Sequence, residues 1–181
     1  MKVDLFSEEE ILNGCKKGQR RYQEILYRRF ARKMYALCLS YAGNRGFAQD
    51  ILQEAFIKVF KNISQFQQAG SMEGWIRKIV TNTAIDMLRQ KNKMERYIEE
   101  EPSQKDNTTE NEAFSHLGSD EILAQVARLP EGARVIFNLY AIEGYTHKEI
   151  ARLLEITTGT SKSQFNRARK LLQNHLAEIN T

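Results

Sequence analysis

Two prolines, two cysteines, three histidines and one tryptophan are all that these 181 residues contain of those types. Two cysteines cannot build a disulfide framework, and neither Cys15 nor Cys38 sits in a metal-type CxxC pair. His116, His147 and His175 lie in no HxH, HxxxH or HExxH arrangement, so each is expected on the surface and no metal site or cofactor is expected. No GxxxxGK[ST] or GxGxxG loop is present to cradle phosphates, and no GxSxG turn to present a nucleophile. Catalysis is therefore not expected. No run of about 18 uncharged apolar residues occurs, and the start, MKVDLFSEEE, has no apolar signal core. A soluble protein of the reducing cytoplasm, with no membrane insertion of its own, is the expectation. Strand-like alternation is missing too. Pro102 and Pro130 both fall in or beside one acidic stretch, which leaves the remainder free for long helices.

What is present can fill a core, because 41% of residues are hydrophobic and 28% charged. The net charge of +4 hides a strong asymmetry. Residues 20–93 hold fourteen Lys and Arg against five acids, a balance of +9. Residues 94–129 hold three against nine, a balance of −6, and residues 130–181 seven against five, a balance of +2. Glu99–Ser119 is polar and aperiodic and reads as a flexible tether. The expectation is an all-α protein: one small helical domain at 1–95, an acidic linker at 96–119 and a second domain at 120–181.

Apolar residues recur at three- and four-residue spacing through the first half. Ser7 and Glu10 form a capping-box pattern for a helix to about Lys17. Tyr22 to Tyr41 makes a second stripe stopped at Gly43-Asn44, and Phe47 to Ile63 a third. Ser64–Ser71 reads as a loop before a helix from about Met72 to Arg89. Past the tether, helices are expected at Asp120–Arg128, Glu131–Ile142, Thr146–Leu154 and about Thr158–Ala177. The last two, joined by Glu155-Ile156-Thr157, form a helix-turn-helix pattern.

Two helix faces carry candidate chemistry. Lys162, Ser163, Asn166 and Arg167 share one face of the last helix, opposite Phe165, Ala168 and Leu172. Such cations neutralise phosphates or read guanine, and asparagine pairs with adenine. Lys78, Asn82 and Arg89 share a face of the helix from about Met72 to Arg89, near Arg77, Lys91 and Lys93, after a loop carrying Phe66. Basic, amide and aromatic groups together suit unpaired bases. Trp75 reads equally as core or as a stacking platform, and Asp86 as a counterion to Arg89 or Lys78. Cys38 reads as a buried hydrophobe, while Lys16 and Lys17 could lower the Cys15 pKa.

The run from Asp50 to Phe60, continuing into GSMEGWIRKIVTNTAIDMLRQKNK, closely resembles region 2 of sigma-70-family factors. Leu129–Leu172 resembles region 4. With no globular region between them, the arrangement is similar to the extracytoplasmic-function (ECF) group of bacterial sigma factors. The resemblance implies that Asp50, Gln53, Glu54 and Phe56, with Ile57 and Lys58, dock on the β′ clamp helices of core RNA polymerase. It implies that Phe66, Lys78, Asn82 and Arg89 hold the melted −10 element of promoter DNA. Lys162, Ser163, Asn166 and Arg167 would then read the −35 duplex, and Leu139 and Tyr140 would face the β flap. The linker would thread toward the active-site and RNA-exit channel, and an anti-sigma factor is an implied partner. Two departures stand out. Glu155 replaces the glycine common in the turn, which calls for a costly left-handed residue. Ser161 and Gln164 replace the usual valine and arginine, implying looser packing and one phosphate contact fewer. The competing reading is a conventional helix-turn-helix regulator of duplex operators; a helical adaptor would leave both basic faces unexplained.

Overall fold

The computed structural model describes residues 6–67, 70–98 and 125–179, mostly helix joined by turns and irregular links, with no strand among them. Most of the acidic tether and His116 lie outside the described residues. Helix α1 (Glu8–Lys16) opens with the expected capping box. Ser7 Oγ accepts from the Glu10 N–H at 3.1 Å, and the Glu10 carboxylate accepts from the Ser7 N–H at 2.8 Å. Those bonds hold the Glu10 carboxyl below its usual pKa. Helix α2 (Arg20–Ala42) ends at left-handed Gly43, and Asn44 caps α3 (Arg45–Asn62) by accepting from the Phe47 N–H at 2.9 Å. The expected stop at Gly43-Asn44 is therefore two devices in tandem, a C-cap and an N-cap. A short 3₁₀ turn, Ile63–Gln65, occupies part of the expected loop. Helix α4 (Met72–Ile98) continues nine residues beyond the expected end near Arg89, since Gln90–Ile98 contains no breaker.

In the second half, residues 125–127 are helical and α5 spans Glu131–Phe137. The chain then shifts to a π-helical turn over Asn138–Ile142, where a uniform helix was expected. Helix α6 (His147–Leu154) carries the expected Thr146–Glu149 capping box, and α7 covers Thr158–Ile179. Thr157 Oγ1 accepts from the Thr160 N–H at 3.0 Å and so caps α7.

The apolar stripes meet as periodicity dictates. Ile11, Leu12, Ile25, Leu26, Met34, Tyr41, Ile51, Ile76 and Ile85 are all essentially inaccessible, and Cys15 and Cys38 are buried among them. Desolvation pushes the Cys15 thiol up to about 11, the reverse of the lowering expected from Lys16 and Lys17. Val126, Leu129, Ala133, Ala168 and Leu172 make a smaller core within the second half. The larger core does not stop at α4, however. Val135, Ile136, Leu139 and Ile150 belong to it, so the two helical units lean on each other through α5 and α6.

Candidate nucleic-acid interface

Helix α7 presents its candidate readers as expected. Lys162, Ser163, Asn166 and Arg167 are exposed, while Ser161, Ala168 and Leu172 are buried behind them. The Ser163 hydroxyl donates to the Thr160 carbonyl at 3.0 Å. Its inner face is held by aromatic packing and one side-chain hydrogen bond. Phe165 packs within an aromatic group of Phe137, Tyr140 and His147, with the His147 ring stacked on Tyr140 at 4.3 Å between centroids. His147 Nδ1 meets Ser161 Oγ at 2.9 Å. Ser161 therefore does not loosen the seam; its hydroxyl ties α7 to the first turn of α6. Ser161→Ala is expected to lower stability by about 1 kcal/mol, read by urea denaturation, because His147 loses that partner. His147 is thus a packed residue, and His175 is half-buried with Nδ1 meeting no partner, so neither is a free surface histidine. Glu155 adopts φ 56° and ψ 41°, the left-handed turn that its position required.

Helix α4 splits the second candidate set. Lys78 and Asn82 are exposed on one face. Arg89, also exposed, is paired with Glu155 of the helix-turn-helix turn. Phe66 is buried against Trp75, ring centroids 5.4 Å apart, so in this arrangement its ring is core. Trp75 is half-buried as its partner. Asp86 faces Lys58 at 3.7 Å rather than Arg89 or Lys78. On α3, Asp50, Gln53 and Ile57 are exposed, Glu54 and Lys58 half-buried, and Phe56 buried under Tyr27. Tyr27 and Ile57 are among the few large apolar side chains left about 40% exposed, and they flank a shallow dimple floored by Leu52, Phe56 and Phe60. Leu139 is wholly buried, so only Tyr140 of the expected flap-facing pair reaches the surface.

Sequence reasoning missed the residues where the two halves meet. The Arg134 guanidinium is buried and donates to the carbonyls of Tyr41 (3.0 Å) and Ala42 (3.2 Å) at the end of α2. It also donates to Leu129 (2.8 Å) and Ala127 (3.4 Å) of its own half. Burial lowers its pKa, with Glu131 acting in the opposite direction. Asn138 Nδ2 donates to the Ser40 carbonyl at 2.6 Å. Arg77 makes a bidentate pair with Glu143, Nε to Oε2 3.1 Å and Nη2 to Oε1 2.7 Å, which raises the arginine pKa. The only signal in the sequence was a polar pair four apart, Arg134 and Asn138, inside the apolar run ARVIFNLYAI.

The described residues thus combine a helix-turn-helix with exposed donors on its second helix, a separate α4 face exposing Lys78 and Asn82, and an apolar dimple on α3. Residues 26–94 match the family model for Sigma-70 region 2, and residues 119–172 that for Sigma-70, region 4. The chain is 34% identical over 158 residues to the ECF RNA polymerase sigma factor SigE of Mycolicibacterium smegmatis, covering 84% of this chain and 61% of that one. It is 31% identical over 159 residues to the ECF sigma factor SigW of Bacillus subtilis, covering 81% and 84%. In fold it is similar to the sigma factor RpoE of Bartonella quintana, solved with the anti-sigma factor NepR. That match has a TM-score of 0.52 at 18% identity, covering 85% of this chain and 96% of that one. The chain belongs to the ECF sigma factors of the sigma-70 family. These are transcription initiation factors and not enzymes, and the conventional-regulator reading does not stand. Among the described residues no helix is long and apolar enough to cross a membrane.

Proposed function

We propose that this chain binds core RNA polymerase in the cytoplasm, brings it to promoters with −35 and −10 elements, and helps melt the latter. The observation that carries the reading is the division of labour among helices: α7 offers exposed donors of duplex-reading type, α4 exposes Lys78 and Asn82, and α3 exposes Ile57 beside carboxylates. Lys162, Asn166 and Arg167 read or neutralise the −35 duplex, with Ser163 beside them. Lys78 holds a phosphate and Asn82 the edge of an unstacked base in the −10 strand, with Arg89 joining once released from Glu155. Asp50, Gln53, Glu54, Ile57 and Lys58 meet the β′ clamp helices, with Phe56 supporting Ile57 from beneath. Tyr140 contributes to the contact with the β flap.

An anti-sigma partner also has a place. Between α3 and α4 on one side and the helix-turn-helix on the other lies a cleft of about 1460 Å³, lined by Asp50, Ile57, Arg89, Val135, Leu154 and Ile156 among others. A helix about 10–12 Å across and ten residues long has a comparable volume. An amphipathic helix seated there would cover the clamp-facing residues. The reading is tested by run-off transcription with core enzyme and a promoter library, where sigma-dependent transcripts are expected and their complete absence refutes it. Asn82→Ala is expected to reduce open-complex formation about tenfold while core binding stays unchanged, the loss of a good base contact being worth roughly 1–3 kcal/mol. Equal loss of both activities contradicts the assignment.

A further inference from the structure

We propose that Ser161 and His147 are positioning residues for duplex reading: their buried hydrogen bond fixes the roll of α7 about its own axis, and so the base pairs that Asn166 and Arg167 discriminate. Such a role deepens the −35 reading given above and rests on it. Ser161 is the fourth residue of α7 and wholly buried, directly before the exposed Lys162 and Ser163. Its Oγ meets Nδ1 of His147, the first residue of α6, at 2.9 Å. The imidazole is itself held in plane. It stacks on Tyr140 with 15° between the rings and meets Phe165 at a steep angle, centroids 5.9 Å apart. Tyr140 closes the circuit by packing on Phe165 at 4.5 Å. Side chains from α6, α7 and the π-helical turn thus form a closed ring. Two of them, Ser161 and Phe165, stand one turn apart on the same face of α7.

What distinguishes this bond from the rest of the seam is direction. Further along α7, Ala168 and Leu172 are buried with Val126, Leu129 and Ala133, and apolar burial of that kind is non-directional. A hydrogen bond, by contrast, weakens steeply away from its preferred angle. Among the described residues, the Ser161–His147 contact is the one side-chain hydrogen bond that joins α7 to another helix. It therefore sets the roll that the apolar seam leaves free. Side-chain ends lie about 5–6 Å from a helix axis, so a roll of about 10° carries the outward atoms by about 1 Å. A paired contact of asparagine or arginine with a base edge does not survive that displacement. Ionic attraction to phosphates does, because it falls off slowly with distance. Loss of the bond is therefore expected to erode discrimination between sequences while sparing attraction to DNA. That split separates positioning from support of the fold.

Holoenzyme assembled from the full chain and core polymerase is offered promoter DNA randomised across the −35 element, and the bound fraction is sequenced. The parent is expected to favour its preferred element over single-base changes by about tenfold at the positions α7 reads. Ser161→Ala should cut that ratio to about threefold or less, with the salt dependence of binding unchanged. Because Ser161→Ala also lowers stability, His147→Phe is added to it. The pair keeps an aromatic ring beside Tyr140 and leaves neither polar partner stranded, so stability should return towards that of the parent. Discrimination should stay lost. Val126→Ala is the converse control, since it loosens the small core of the same half without touching the ring, and it should keep the ratio near tenfold. Recovered discrimination in the double variant, or an equal loss in Val126→Ala, overturns the positioning role, because support of the fold would then explain the effect. A salt dependence that falls in step with discrimination overturns it too, since α7 would have left the DNA. If the parent selects a −35 sequence and Ser161→Ala selects it equally well, the positioning role alone fails. If the parent itself selects none, the −35 reading falls and the positioning role with it.

Discussion

Replacing Gly43 by alanine is expected to cost this protein about 3 kcal/mol, against about 1 kcal/mol for the same change at Gly18 or Gly144. All three glycines have nearly the same backbone, φ +74°, +70° and +76°. The left-handed conformation charges an L-residue roughly 1–2 kcal/mol, and that part should be common to the three. A Cβ at Gly18 or Gly144 would meet nothing within 4 Å. At Gly43 it would lie 2.6–2.8 Å from three atoms of the Arg134 guanidinium. The end of an arginine is ordinarily easy to displace. This one is buried and bonded to four carbonyls from two parts of the chain, so moving it forfeits charge-assisted hydrogen bonds worth about 1.5–3 kcal/mol in total effect. Urea denaturation of the full chain reads the three costs. In an Arg134→Ala background the excess at Gly43 should vanish, leaving only the strain. An excess that survives there would place the conflict in the backbone and not at the guanidinium.

Much of this architecture was legible in the sequence because it rests on local chemistry. The capping boxes at Ser7 and Thr146 appear where residue spacing placed them, and the apolar stripes of α2 and α3 are buried as their periodicity required. Glu155 takes the left-handed turn that its departure from glycine implied. What remained hidden is of longer range. Beyond the apolar run around it, nothing local distinguishes Arg134 from a surface arginine, since two of its four partners are backbone carbonyls some ninety residues earlier. Backbone acceptors leave no trace in side-chain patterns. The π-helical turn over Asn138–Ile142 was equally invisible, because its register is set by where Asn138 and Glu143 find partners in the first half. Phe66 is the converse case. An aromatic residue in a polar loop invited a base-stacking role, yet Trp75 is close enough to draw its ring into the core. The exposure of the candidate faces on α4 and α7 was legible, since amphipathic helices expose what periodicity leaves over.

Ile57→Glu is expected to weaken binding to core polymerase by about thirtyfold or more while leaving the fold intact. Ile57 is 40% exposed on α3, beside Tyr27 at 41%, and between them lies a dimple of about 490 Å³ floored by Leu52, Phe56 and Phe60. A monomer gains little by leaving such groups in water, so a contiguous apolar exposure on an otherwise charged helix points to a partner. Apolar anchors at the centre of an interface typically contribute 2 kcal/mol or more, which sets the thirtyfold figure. A carboxylate at that point would also be desolvated without a counterion when the clamp closes over it, adding to the loss. In the free chain the same carboxylate sits in solvent, where substitutions usually change stability by less than about 0.5 kcal/mol, so the melting temperature should barely move. Lys61→Glu, exposed one turn further along α3 and outside the dimple, serves as the charge control. It reverses a charge without touching the apolar anchor, and a drop in affinity comparable to that of Ile57→Glu would mean that net charge on α3, rather than the dimple, carries the docking.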